Sequence, residues 1–421
     1  MSNAKSAGAT GPAGGAAANA WMFRAMIVGI VALVLTLVGL FTGDPVRVGL
    51  GTLISVVFWL SIGLGMWFLI MLFYLFDAGW GTVVRRPMEH ATATFPWIGA
   101  VFFVLLFHSL MADAEEGVWK WMNPENPVVI AGELATVQDD VLYHHKSAFL
   151  NNAFFFVRSL IYFGIFIGIA SILRNASFRQ DSDGDSAWTT VCRKWSAGGV
   201  ILGALAVTFA SLDWIMTLEF HWFSTMFGVW FFSSAMRAAL SGTVIVCLIL
   251  VYTGVFRGVF KQAHLYELGR LMFAFTVFWA YIAFSQYFLI LNANIPEVTY
   301  WYVNREHEYW WWVGLALLFG HFFVPFIYLL FYRNKVLPGR MLFISVWILA
   351  FHLLDLYFNI LPSKHAETGL PYYNFSVTFW DVTAFAGVGG ICVWAFMKSY
   401  VGQKAIPVRD PRILESLSHH E

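Results

Sequence analysis

The chain has 421 residues, 59% of them hydrophobic and only 12% charged, with a mean hydropathy of +0.68. Soluble domains carry about a quarter charged residues, so this composition excludes a water-soluble globular protein. Twenty-five basic and 25 acidic side chains balance, which excludes a net field that would recruit nucleic acid.

Residues 1–20 are mostly Ala, Gly and Ser and read as a flexible tail. The next apolar run, from Trp21 to Phe41, has no small-residue cleavage site before Thr42-Gly43-Asp44-Pro45 and reads as a retained helix. A helix needs roughly 20 apolar residues to cross the hydrocarbon layer. Ten runs qualify, at 21–41, 48–76, 95–111, 149–173, 196–217, 224–256, 268–291, 310–332, 341–361 and 376–399. The sixth is long enough to tilt or project beyond the bilayer. Alternating ten-residue strands of a β-barrel are missing. The expectation is an all-α polytopic membrane protein with one transmembrane domain over 21–400 and a short tail over 401–421.

Basic residues set the orientation. Of the 25, 18 fall in segments on the side of both termini, five on the opposite side (Arg47, Lys120, Lys146, Arg305 and Lys364), and Arg158 and Arg237 lie within spans. That bias predicts cytoplasmic termini. The outward loop 112–148 carries Asp113, Glu115, Glu116, Glu125, Glu133, Asp139 and Asp140, and reads as a docking or packing loop, or as an ordinary solvated one. Cys192, Cys247 and Cys392 are too scattered for a zinc, thioredoxin-like or c-type haem spacing. Phosphate-loop, zinc-protease and serine-hydrolase motifs are missing as well.

An ionisable side chain at mid-bilayer costs roughly 3 kcal/mol on insertion scales, so each one within a span needs a reason. The candidates are His108, Arg158, Asp213, Arg237, His321, His352, Asp355 and Asp381, with Tyr281, Ser285 and Gln286 on the seventh span. His352 and Asp355 are three apart and share a helix face. A carboxylate there would fix the imidazole tautomer and make a proton-passing pair, or the two would simply satisfy each other in packing. His321 lies at a similar depth on the eighth span and fits a relay, a quinone contact, a structural hydrogen bond or a haem ligand; a two-haem site would need histidines at a second depth, where only His108 remains. Arg158 and Arg237 are expected to neutralise Asp213, Asp355 or another buried carboxylate. Asp213, Glu219, His221, Asp381 and His108 lie toward the outward side, where Glu219 and His221 read equally as solvated loop residues. The cytoplasmic half looks poor in acids, with Tyr162, Ser171 and Ser345 as its polar groups. The aromatic run from Tyr300 to Trp312 reads as an interfacial belt.

Two stretches carry a family likeness. One is S-L-D-W-I-M-T-L-E-F-H-W-F-S-T, Ser211 to Thr225; the other is F-W-A-Y-I-A-F-S-Q-Y-F-L-I, Phe278 to Ile290, running into N-A-N-I-P-E, Asn292 to Glu297. Together they resemble the NrfD/polysulfide reductase-like membrane subunits of bacterial alternative complex III, a quinol:cytochrome c oxidoreductase, and among them the ActF type. The chain differs from that pattern at Leu291 and Val298, where Trp and a second Glu are expected. The resemblance covers nearly the whole chain after residue 20. It implies two four-helix bundles, spans two to five and six to nine, flanked by spans one and ten. It further implies a bacterial cytoplasmic membrane and partners: a multihaem cytochrome c subunit, an iron–sulfur subunit, a second NrfD-like subunit and small membrane-associated subunits. This chain would then bind no cofactor itself, with haem c and iron–sulfur clusters on its partners and a quinone, menaquinone expected, in the complex. Its own share would be a proton pathway through His321, His352, Asp355, Asp213, Asp381, His108, Arg158, Arg237, Ser285 and Gln286, and an assembly surface. The alternatives are that this chain itself binds and oxidises quinol, or that it is a stand-alone transporter. The transporter would need matched helix interruptions in its two halves, and Pro325 has no obvious counterpart.

Overall fold

Ten helices among the described residues of the computed structural model, which are 14–130, 133–362 and 373–420, are long and apolar enough to cross a membrane. In chain order they are Ala18–Thr42, Pro45–Leu75, Gly79–Met111, Asn152–Asp183, Ala187–Glu219, Phe227–Tyr252, Gln262–Ala293, Glu308–Leu330, Pro338–Ile360 and Phe379–Tyr400, spans one to ten. The only strands among the described residues are β1, Pro127–Ile130, and β2, Glu133–Thr136, paired antiparallel in the loop after span three. This is the architecture of an all-helical, multi-pass membrane protein.

Local chemistry sets the helix ends. Asp44 caps span two by accepting from the Arg47 N–H at 3.0 Å, with Pro45 in the first turn. Asn151 caps span four, and Thr378 with Asp381 forms a reciprocal capping box on span ten. Span six stops at Tyr252 instead of running to 256 as its hydropathy suggested. Gly254, at φ +90°, turns the chain there, and the Phe256 N–H closes onto the Leu250 carbonyl at 2.9 Å.

Three spans extend well beyond their apolar runs. Span three begins at Gly79, not 95, because Arg85, Arg86, Glu89 and His90 are helical and buried. Span four continues to Asp183 and span five begins at Ala187. A 32-residue helix is about 48 Å long, so both project past the hydrocarbon layer on the side of the chain termini. Of the expected tail over 1–20, residues 1–13 lie outside the described residues, and the first helix is already formed from Ala16.

Spans two to five close one ring of packed helices, and spans six to nine close a second. Span two, buried along most of its length, joins them by packing on span six; span ten lies against both span one and span two. Two close approaches make this seam. A Cβ on Gly65 would lie 2.3 Å from the Ala235 carbonyl and 2.5 Å from the Ala239 Cβ. Gly389 leaves similar room for the Trp59 ring.

The first and last described segments lie on one face, called the terminal face below, with Gly14 beside Val401. That half is not poor in acids. Arg85 pairs with Glu89 at 3.0 Å and with Asp410 at 2.6 Å, Arg86 pairs with Asp181, and Ser177 donates to Glu89 at 3.0 Å. Asp410 and Ser416 belong to the C-terminal segment, and the Ser416 hydroxyl donates to the Trp80 carbonyl and meets His264. The expected tail over 401–421 is thus strapped to the bundle. Tyr162, placed by sequence in the same half, lies instead toward the far face beside Asp213.

The seam predicts a specific stability effect. Gly65→Ala should destabilise the protein by about 1–3 kcal/mol through overpacking. Gly164→Ala, whose new methyl meets nothing within 4 Å, should be neutral or slightly stabilising. Thermal unfolding in mild detergent distinguishes the two.

Candidate functional site

The second ring encloses a constellation of ionisable groups, built around one irregular turn. Span eight changes to a π-helix over Leu317–Phe323, just before Pro325. Proline has no N–H, so it leaves without a partner the carbonyl it would meet in α geometry, that of His321, and the one it would meet in π geometry, that of Gly320. Side chains from neighbouring helices take both. An Arg237 guanidinium N–H from span six donates to the His321 carbonyl at 2.7 Å, and Trp347 Nε1 from span nine donates to the Gly320 carbonyl at 2.7 Å. π-turns inside helices concentrate at functional sites.

Asp355 of span nine, 2% exposed, is held by Ser234 Oγ at 3.3 Å, Trp279 Nε1 at 3.2 Å and Asn359 Nδ2 at 3.1 Å. His321 Nε2 stands 3.9 Å from its carboxylate, with the Trp279 ring edge-on to the imidazole, centroids 4.4 Å apart. Arg237 lies over the same Trp279 ring at 5.3 Å. Four spans therefore converge on one carboxylate.

The expected His352–Asp355 pair does not form. His352 Nε2 instead meets Ser61 Oγ of span two at 2.8 Å, and its Nδ1 has no protein partner. Two residues three apart share a face, but each side chain turned to the partner its own neighbour offered. His352 thereby links the two rings, and His321 is the imidazole that approaches Asp355. Nor does Arg237 form an ion pair with any described carboxylate; it donates to the free His321 carbonyl, and its Nε and one terminal nitrogen are without protein partners. Both nitrogens of His321 are likewise unpartnered, as are the Ser241 and Ser345 hydroxyls further toward the terminal face. Buried polar atoms are normally satisfied.

A second cluster lies toward the far face in the first ring. Arg158 grips Asp213 with two hydrogen bonds, 2.8 and 2.9 Å, and Tyr162 donates to the same carboxylate at 2.7 Å. The expected neutralisation of Asp213 by Arg158 is found. The Arg158 guanidinium also packs over the Phe149 ring at 3.9 Å. This well-satisfied group is a structural clamp between spans four and five.

The remaining candidates divide. Asp381 is bound by Arg47 at 2.6 and 2.8 Å and by the Thr378 backbone and hydroxyl at 2.7 and 3.0 Å, so it clamps span ten to span two. Arg47, expected in an exposed loop, is 5% exposed in the first turn of span two. Gln286 joins Ser224 at 3.0 Å and Tyr302 at 3.0 Å. The Ser285 hydroxyl joins none of these networks, and His108 only packs edge-on to Phe41, centroids 5.8 Å apart. His221, in the loop after span five and 29% exposed, pairs with Asp140. The loop after span three packs Trp119 and Trp121 fully into the bundle while Asp113, Glu115, Glu116, Glu125, Glu133 and Asp139 stay exposed.

The two sequence motifs meet at the far face. Trp222 stacks on Trp301 with centroids 4.5 Å apart and donates to the Val298 carbonyl at 3.1 Å, while Ser224 reaches Gln286. Sequence reasoning missed Arg305. It is 3% exposed, lies 3.3 Å over the Trp301 ring, and donates to the Trp301, Phe358 and Asn359 carbonyls at 2.8, 2.8 and 3.0 Å, closing the end of span nine. Beside it a small cleft of about 10 Å³ is lined by Glu219, Arg305, Asn359, Trp301 and Phe227. Asn359 therefore touches the cleft and Asp355 together.

The first-ring clamp gives a test of its own. Asp213→Asn leaves a buried guanidinium half-paired and should cost about 3–5 kcal/mol, whereas Arg158→Met with Asp213→Leu should recover most of that loss. Thermal unfolding of Arg158→Met, Asp213→Leu and their double variant measures the coupling.

Comparison with models of known protein families finds no match, and no curated protein matches the chain significantly.

Proposed function

We propose that the chain is an NrfD-like membrane subunit of a respiratory quinol:cytochrome c oxidoreductase of the alternative complex III type. In this reading it sits in the bacterial cytoplasmic membrane with both termini cytoplasmic. The observation that carries the reading is the Asp355–His321–Arg237 constellation, an ionisable centre inside a helical bundle next to a π-turn. Quinol oxidation yields two electrons and two protons. The electrons go to iron–sulfur and haem c centres on the iron–sulfur and multihaem cytochrome subunits; this chain, packed beside a second NrfD-like subunit and small membrane-associated subunits, handles protons.

The geometry supports the following division of labour. The Asp355 carboxylate takes up and gives off a proton while Ser234, Trp279 and Asn359 hold it in place. His321 Nε2, 3.9 Å away, exchanges with it when the two close to hydrogen-bond distance. Asn359 connects Asp355 to the far-face cleft, where Glu219 receives the proton toward the outside. His352 and Ser61 extend the polar centre into the first ring. Moving a charge against 100 mV costs about 2.3 kcal/mol, so transport toward the outside must draw on the redox reaction of the partners. A second reading is quinol oxidation at this chain itself, with His321 or Asp355 accepting the quinol proton.

Purification of the native assembly through a tag on this chain should yield c-type haem and menaquinol:cytochrome c activity. A haem-free, inactive single polypeptide would overturn the assignment in favour of the transporter. In the intact assembly, Asp355→Asn should lower the protons released per electron while electron transfer continues. An unchanged ratio would remove Asp355 from the pathway, and loss of electron transfer with assembly intact would select the second reading.

A further inference from the structure

The short helix Tyr332–Val336 joins spans eight and nine at the terminal face. Its Lys335 is 9% exposed. Span seven carries Gly269 where the lysine stem crosses it; a Cβ there would lie 2.9 Å from Lys335 Cγ. The ammonium lies over the Tyr266 ring at 5.1 Å and the Phe273 ring at 6.0 Å. No carboxylate or hydrogen-bond acceptor among the described residues meets it. Burial and the neighbouring Arg270 charge hold its pKa below the usual lysine range.

This sets Lys335 apart from the other buried cations. Arg47, Arg85, Arg86 and Arg158 each have a carboxylate, and Arg237 and Arg305 have backbone carbonyls. The notch at Gly269 fixes the buried stem of Lys335 there, and the ammonium at its end has no anion among the described residues. The surroundings add positive charge: Arg333 and Arg340 are exposed, the latter bound to Asn334 at 2.7 Å, and Arg270 shares Glu267 at 3.2 Å. Exposed cations at this end follow from topology alone; a lysine whose stem is seated in a glycine notch and which has no described counterion does not.

Depth and apolar surface point to the ligand. Gly269 lies seven residues into span seven, about 10 Å from its start, near the boundary of headgroups and acyl chains. Leu330 and Phe331, just before the short helix, are more than half exposed and extend the apolar surface beside the basic cluster. We propose that Lys335, with Arg270 and Arg333, binds the phosphate of an anionic phospholipid whose acyl chain lies along spans seven and eight. Basic pockets between membrane helices suit such headgroups, and the lipid phosphate supplies the anion that the chain lacks.

The test uses the full chain in its detergent-solubilised native assembly, washed free of loose lipid. Added phosphatidylglycerol should bind and raise the thermal stability of the wild type, while phosphatidylcholine and inorganic phosphate should not. Lys335→Gln should bind phosphatidylglycerol roughly tenfold more weakly, the loss expected for one charge-assisted hydrogen bond. Arg270→Gln with Arg333→Gln, both on the exposed surface, should weaken binding without disturbing the fold, which keeps the proposal testable where K335Q does not fold. Equal stabilisation by phosphatidylcholine, or by inorganic phosphate, would overturn the lipid assignment. Undiminished phosphatidylglycerol binding by the folded variants would overturn the site.

Discussion

Charge inside a hydrocarbon layer has to be met by another polar group, and this constraint organises the molecule. Arg158 and Asp213 solve it with a bidentate pair, as do Arg47 and Asp381. Arg85, Arg86, Glu89, Asp181 and Asp410 solve it as a network that ties spans three and four to the C-terminal segment. Arg305 uses three carbonyls at a helix end. Each solution pins two or more helices together, so the ionisable groups that make these spans expensive to insert also fix how they pack.

The centre of the second ring is built differently, because among the described residues Arg237 forms no ion pair with a carboxylate and Asp355 none with an arginine. The origin is a backbone defect. Pro325 and the π-turn release two carbonyls, which then draw Arg237 and Trp347 away from any carboxylate. With its guanidinium on a carbonyl, Arg237 leaves Asp355 hydrogen-bonded to the neutral donors Ser234, Trp279 and Asn359. The clamp at Asp213 shows the opposite design, and it is correspondingly suited to holding helices and not to moving protons.

The seam between the rings explains how such a centre is reached. Gly65 lets span six approach span two closely, and Ser61, one turn away on the same helix, meets His352. At the far face, Trp222 on Trp301 and Ser224 on Gln286 bring the loop after span five against the end of span seven and the loop that follows it. That junction forms the wall of the cleft beside Asn359. The two family-like motifs, more than fifty residues apart in the chain, are thus two sides of one structural joint.

How much of this was written in the sequence depends on the kind of signal. Ten apolar runs were legible because crossing a membrane demands a length of hydrophobic residues that nothing else in a chain imitates, and buried ionisable residues were legible because they interrupt those runs. For the same reason the start of span three was missed: Arg85, Arg86 and Glu89 interrupt hydropathy, and only their mutual pairing makes the helix continue. The Arg158–Asp213 pair was foreseen from charge alone. Helical spacing placed His352 and Asp355 on one face but could not say that His352 would turn to Ser61 and Asp355 to Trp279, because those partners come from other spans. Arg305 looked like a loop residue until the end of span nine folded against it. The sequence by itself determined which segments lie in the membrane and which of them carry charge. Only the tertiary structure decided which charges meet, because a hydrogen bond depends on where neighbouring helices place their side chains, and local periodicity holds no record of that.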